Sequence, residues 1–202
     1  MAAAAKRDLK MGHEAISAAI EASAAAVRSL LERMDAIDQA CVLVVETLRA
    51  GGQVLTAGNG GSAAEALHMA EELVGRFRGN RRSLPGVSLA ADPTALTCIG
   101  NDFGFDAVFS RQVEGLARAG DVLVLFSTSG TARNLALAIE AAQAKGVRTI
   151  ALLGRDGGPL RGRADIELIV PGTATERIQE AHQVVVHLIL DAVERGFDDD
   201  SS

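Results

Sequence analysis

The chain reads as an α/β protein built on one parallel sheet with crossover helices. Two observations predict this. Short apolar runs at Val54–Ala57, Val87–Ala91, Val122–Phe126, Thr149–Leu153 and Ile166–Val170 alternate with segments of helical composition. Two of those runs, the first and the third, exit into turns rich in Gly and Ser, "GNGGS" from Gly58 to Ser62 and "STSGT" from Ser127 to Thr131. Both turns precede helical segments, which places them at the carboxyl edge of a parallel sheet, where ligands collect.

The elements follow in order. From about Asp8 to Met34 the chain is rich in Ala, Glu and Arg, and Ile20, Ala24, Val27, Leu31 and Met34 recur at alternating four and three spacing. That periodicity predicts one helix with an apolar seam in need of a partner. A second helix is expected over about Asp38 to Ala50, stopped by Gly51 and Gly52. The sheet runs and their crossovers come next, including a helix over Ala63 to Phe77. After Pro171 and Gly172 break the chain, Thr173 and Glu176 stand at capping-box spacing before a last helix patterned by Ile178, Val185, Leu188, Ile189 and Val193. Beyond Arg195 the sequence "GFDDDSS" predicts a frayed acidic tail. The organisation expected is thus helices over 1–52, a sheet domain over 53–195 and a tail over 196–202.

Composition narrows the function classes. At 202 residues and 48% hydrophobic content, one domain with one substantial core is expected. A formal charge of −6, with no cluster of Lys and Arg, argues against a nucleic-acid surface, because neutralising phosphates takes a basic footprint. Cys41 and Cys98 are the two cysteines, both in apolar segments, so neither a disulfide framework nor a Cys-rich zinc site is indicated. No apolar stretch approaches a membrane span and the N-terminal residues lack a continuous apolar signal core, so a cytoplasmic protein is expected.

Both turns suit an anion. Glycine lets the backbone approach closely, and the unpaired N–H groups of a helix's first turn point at the ligand. Ser127, Thr128, Ser129 and Thr131 add hydroxyls, and neither turn carries the Lys of a polyphosphate loop, so a monophosphate fits better. Gly58, Gly60 and Ala63 also satisfy a dinucleotide fingerprint, but Asp92 lies well beyond the roughly 20-residue spacing of the ribose-binding acid. "GNGGS" alone is equally a tight strand-to-helix connection with Ser62 as cap.

Two polar groupings fall on helices. His68 and Glu72, four apart, share a helix face and suit either a hydrogen-bonded pair or two ligands of one metal. On the last helix Gln179, Gln183 and His187 form a stripe at i, i+4 and i+8. Glu72 and His187 have the strongest claim to chemistry, because a carboxylate and an imidazole beside a sugar phosphate can move a proton between adjacent carbons. His182 reads as an ordinary polar helix residue, and His13 as solvent-facing rather than functional.

Taken together, "GNGGSAAEALHMAEELVGRF", "LTCIGNDFGFDAVFSRQVEGLARAGDVLVLFSTSG" and "ERIQEAHQVVVHLILDAVE" closely resemble the phosphoheptose isomerases of the sugar isomerase (SIS) superfamily. The resemblance spans about Val54 to Glu194. It implies a three-layer α/β/α, flavodoxin-like domain assembled as a homotetramer, with active sites completed between subunits. The implied reaction interconverts sedoheptulose 7-phosphate and D-glycero-D-manno-heptose 7-phosphate, the entry to bacterial heptose synthesis for surface polysaccharide. By position, Asn59, Gly60 and Gly61 would contact substrate, Asn101 and Asp102 would line the site, and Ser127, Thr128 and Ser129 would hold the phosphate. His68, Glu72, Gln179 and His187 match the family's zinc ligands, and Glu72 and His187 its acid and base. Thr131 and Ala132 stand where the family commonly has Asn and Ser, and Glu176 where some members have an aspartate. Non-enzymatic members of the superfamily, adaptors similar to the DnaA initiator-associating protein, share the glycine turn but lack the counterparts of Glu72 and His187, both of which this chain has; a sugar-phosphate sensor is the third reading.

Overall fold

The computed structural model describes residues 11–198. The first residues of the expected N-terminal helix and the end of the acidic tail lie outside them. Five parallel strands, β1 (Val54–Gly58), β2 (Gly86–Ser88), β3 (Val122–Ser127), β4 (Arg148–Gly154) and β5 (Ile166–Val170), form one sheet in the order β2-β1-β3-β4-β5. All five expected runs are strands, although β2 ends at Ser88 because Asp92 caps the next helix, accepting from the Thr94 and Ala95 backbone N–H groups. That cap also explains the aspartate without a ribose.

Among the described residues seven α-helices surround the sheet: α1 (His13–Arg28), α2 (Met34–Arg49), α3 (Gly61–Val74), α4 (Pro93–Phe103), α5 (Ser110–Leu116), α6 (Arg133–Ala144) and α7 (Thr175–Gly196). Because strand side chains alternate, Val122, Val124 and Phe126 face one apolar layer while Leu123 and Leu125 face the other. The first layer is closed by α1, α2, α3 and α7, the second chiefly by α5 and α6. The result is the three-layer α/β/α architecture, with the central strands buried on both faces as parallel strands require.

The N-terminal region departs from the expected single helix. α1 stops at Arg28, residues 29–33 tighten into a 3₁₀ turn, and α2 already begins at Met34. The Ser29 hydroxyl donates to the Ala26 carbonyl, and the Arg33 guanidinium reaches the Ser29 and Ile169 carbonyls, so the turn is pinned to the end of the sheet. Ile20 and Met34 therefore share no continuous helical seam. α2 does end at the glycines, with Gly51 left-handed.

α7 differs from expectation at both ends. Its N-cap is Ala174 without a side-chain cap, which leaves Thr173 one residue too early to form the capping box with Glu176. At the other end the helix continues to Gly196, whose carbonyl accepts from Arg49, and Phe197 is buried under the Arg82 guanidinium. The chain thus still has something to bury after Arg195. His182, read from sequence as an ordinary polar helix residue, is fully buried, because it falls on the same face as Ile178, Val185 and Ile189.

Candidate functional site

In the order β2-β1-β3-β4-β5, the chain leaves β1 toward one edge and reaches β3 on the other side, so the crevice between β1 and β3 is the topological switch point. The two Gly/Ser turns are the exits of these two strands and lie side by side. Gly60, at φ +58° and ψ −122°, adopts a conformation closed to side chains, and it delivers the chain directly into α3 at Gly61. Ser62 is therefore not the cap; it is buried inside the first turn of α3. A Cβ on Gly61 would collide with the Gln179 amide nitrogen, so α7 leans its Gln179 against the turn.

The second turn is held by its own hydroxyls. Gly130 N–H donates to Ser127 Oγ at 3.1 Å, and Ser129 Oγ and Thr131 Oγ1 share a hydrogen bond at 2.9 Å. Thr128 and Ser129 are half-buried ahead of the α6 N-terminus, where unpaired backbone N–H groups favour an anion. The turns are tied together by a residue that the sequence did not single out: Asn134, 3% exposed in the first turn of α6, exchanges two 2.9 Å amide hydrogen bonds with Asn59.

The polar groups of α3 and α7 meet beyond the first turn. His68 Nε2 lies 3.2 Å from Glu72 Oε1, and Gln183 Nε2 lies 2.6 Å from His68 Nδ1 and 3.2 Å from His187 Nε2. The His68 and His187 rings stand edge to face at 5.4 Å between centroids, and Phe77 stacks on His187 at 5.6 Å. Burial holds the His187 imidazole below its ordinary pKa, His68 and Arg78 push the same way, and Glu72 opposes them. The imidazole is therefore biased toward its neutral form.

His68, Glu71 and Glu72 each present one ligating atom within 4.8 Å of the others, a group able to hold a metal. Glu71, the exposed member, was not among the ligands suggested by sequence; Gln179 and His187 were, and both lie outside this triplet. Asn101 and Asp102, at the exposed end of α4, contact each other at 2.6 Å, with Cys98 beside Asp102. Glu176 is exposed beside Arg177.

A family model described as "SIS domain" matches residues 10–154, from the first helix to the end of β4. The phosphoheptose isomerase of Geobacter sp. (strain M21) is 54% identical over 164 residues, covering 81% of this chain and 85% of that protein. The chain belongs to the phosphoheptose isomerase family. Two solved family structures show the same fold. The enzyme from Neisseria gonorrhoeae superposes with a TM-score of 0.85 at 41% identity over 90% of this chain and 98% of that one. The structure from Francisella tularensis gives a TM-score of 0.88 at 34% identity, over 92% and 100% of the two chains. The phosphoheptose isomerase fold thus extends past the matched SIS segment to include α7, which carries Gln179, Gln183 and His187.

Proposed function

We propose that the chain interconverts sedoheptulose 7-phosphate and D-glycero-D-manno-heptose 7-phosphate, with Glu72 and His187 moving the protons. Family membership makes it an aldose–ketose isomerase rather than an adaptor. The observation that carries the residue assignment is the convergence of α3 and α7: side chains more than a hundred residues apart meet in one hydrogen-bonded group beside the switch-point turns.

In this reading the phosphate sits at the α6 N-terminus, against Ser127, Thr128 and Ser129, and the sugar passes over Asn59, Gly60 and Gly61 toward α3 and α7. Asn101, Asp102 and Gln179 approach the sugar hydroxyls. His187, whose burial disfavours the charged imidazolium, takes the proton from C1 of the ketose and returns it to C2. Glu72, 3.2 Å from His68 Nε2, exchanges the proton between O1 and O2. The donor set of His68, Glu72, Gln179 and His187 consists of imidazole nitrogens, a carboxylate and an amide oxygen, and it fits zinc, for which nitrogen and oxygen ligands suffice. When bound, zinc would polarise the substrate's carbonyl oxygen.

The assembly proposed is a homotetramer acting in the cytoplasm. A groove of about 570 Å³ between α1, α2 and α7 is lined by Val27, Leu30, Leu31, Met34 and Leu188, of which Leu31 and Met34 are 67% and 61% exposed. Such a surface needs covering. No helix among the described residues is long and apolar enough to cross a membrane.

The test is direct. Purified protein is incubated with sedoheptulose 7-phosphate with and without chelator, and aldose formation is followed by NMR. Turnover that falls on chelation and returns with zinc is the expected result; binding without turnover under every metal condition would make the protein a sensor.

A further inference from the structure

Thr131 stands in the second turn as a fourth hydroxyl, yet the phosphate reading above uses only Ser127, Thr128 and Ser129. Its side chain is engaged within the turn: Thr131 Oγ1 lies 2.9 Å from Ser129 Oγ, and the Thr131 backbone N–H donates to the same Ser129 oxygen at 3.3 Å. The residue between the two is clamped. Gly130 is buried at φ +66°, its N–H donates to Ser127 Oγ, and its carbonyl accepts from the Leu160 N–H at 3.0 Å. A Cβ on Gly130 would collide with the Gly157 carbonyl. The segment after β4 therefore holds the backbone of the turn, and the freedom left to Ser129 and Thr131 lies in where their hydroxyl protons point.

A hydroxyl has one proton to give and two lone pairs to accept with. Two arrangements satisfy the pair. If Ser129 donates to Thr131, its proton is spent inside the turn. If Thr131 donates to Ser129, the Thr131 N–H and O–H fill both Ser129 lone pairs, and the Ser129 proton is left for a third partner. A phosphate dianion only accepts, so its arrival selects the second arrangement. Donation into Ser129 Oγ also polarises the Ser129 O–H bond and strengthens its own donation.

We propose that Thr131 is a positioning residue for the phosphate: its hydroxyl donates to Ser129 Oγ and so commits the Ser129 proton to the anion at the α6 N-terminus. The β-branch of Thr131 leaves χ1 few rotamers, so holding the hydroxyl costs little entropy. Ala132, which caps α6 without a side-chain hydrogen bond, offers Ser129 no rival partner.

The proposal rests on the phosphate placement above, and its test separates the two. The dissociation constant of inorganic phosphate is measured by phosphorus NMR titration on the full chain for the wild type, Thr131→Val, Thr131→Ser, Ser129→Ala and the Ser129→Ala, Thr131→Val double variant. Steady-state kinetics with sedoheptulose 7-phosphate accompany it. Thr131→Val keeps the shape and the backbone N–H and loses only the hydroxyl. It should weaken phosphate about 3–10-fold and raise KM by a similar factor, with kcat and the melting temperature retained. Thr131→Ser, which keeps the donor, should restore wild-type values. Ser129→Ala should weaken phosphate about 10–100-fold, because it removes a donor to a charged group. On that background Thr131→Val should have no further effect. Wild-type phosphate affinity in Thr131→Val overturns the proposal. Additive losses overturn it too, since they would make Thr131 a phosphate contact in its own right. Unchanged affinity in Ser129→Ala would overturn the phosphate placement and the proposal with it. A wild type that binds phosphate in the expected pattern but turns over no sedoheptulose 7-phosphate would overturn the isomerase assignment alone.

Discussion

Asn59 and Asn134 exchange two amide hydrogen bonds, each 2.9 Å long, across the crevice between the exits of β1 and β3. The pair cross-links the turn proposed to contact the sugar with the helix whose N-terminus is proposed to hold the phosphate. Replacing Asn134 by Leu leaves the Asn59 amide without its partner in a half-buried position, which is expected to cost about 1–3 kcal/mol. The larger effect should be catalytic. Letting one turn drift relative to the other by an ångström can reduce kcat/KM by about 10²-fold. Denaturant unfolding and steady-state kinetics check the two parts, and a double-mutant cycle with Asn59→Ala should return a coupling energy well above zero.

Removing acid–base capacity without disturbing packing is the test of His187 and Glu72. His187→Asn is expected to lose about 10²–10⁴-fold in kcat, with KM altered modestly and the melting temperature little changed. Glu72→Gln should behave similarly. If the two groups act on one substrate as a unit, as proposed, the double variant should lose far less than the product of the single losses. A His187→Asn enzyme with near-normal turnover would make the histidine structural.

The segment after α3 fastens the site helices together at their far end. The Arg81 side chain is almost wholly buried, ion-paired to Glu194 of α7 at 2.9 Å, and its other nitrogens donate to the Leu73 and Glu72 carbonyls that end α3. Gly79 N–H donates to the same glutamate. Glu194→Ala leaves a buried guanidinium uncompensated, a loss expected at about 3–5 kcal/mol. At roughly 2–4 °C per kcal/mol for a domain of this size, calorimetry should record a drop on the order of 10 °C. A shift of a degree or two would show that water or another group satisfies Arg81.

Much of this architecture is legible in the sequence because it is local. Apolar runs of strand length, glycine at the exits of β1 and β3, and the i, i+4 spacing of His68 and Glu72 each depend on neighbours in the chain. What escaped is what depends on docking one element on another. Asn59 and Asn134 are 75 residues apart, and no spacing rule pairs them. Gln183 was visible as a member of the α7 stripe, but its contact with His68 needs the packing of α3 on α7. The break at residues 29–33 comes from Arg33 reaching the end of β5, which no helical periodicity encodes. His182 had a signal that was present and outweighed by residue type: it lies four after Ile178 and four before Val186, on the apolar face.

That buried histidine carries the last prediction. His182 Nδ1 lies 3.9 Å from a carboxylate oxygen of Glu65, and both carboxylate oxygens and Nδ1 lack hydrogen-bond partners. Burial pushes Glu65 up to about 7 from an ordinary 4.5, the Ser62 hydroxyl opposing, and pushes His182 down to about 4 from 6.5, the Leu153 carbonyl opposing. Between pH 4.5 and 7 folded Glu65 keeps a proton that the unfolded chain has lost, so its contribution to stability falls as pH rises. Between pH 6.5 and 4 the unfolded chain binds a proton that folded His182 refuses, so that contribution falls as pH drops. Each amounts to about 3 kcal/mol across its window. From pH 4.5 to 6.5 the two oppose each other, and the pair should add little slope to the unfolding free energy of the wild type. Glu65→Gln leaves the histidine alone, so stability should decline as the protein is acidified below pH 6.5. His182→Gln leaves the carboxyl alone, so stability should decline from pH 4.5 upward to 7. Urea unfolding across this range measures all three slopes, and variants whose curves run parallel to the wild type would mean that neither group is held away from its ordinary protonation in the fold.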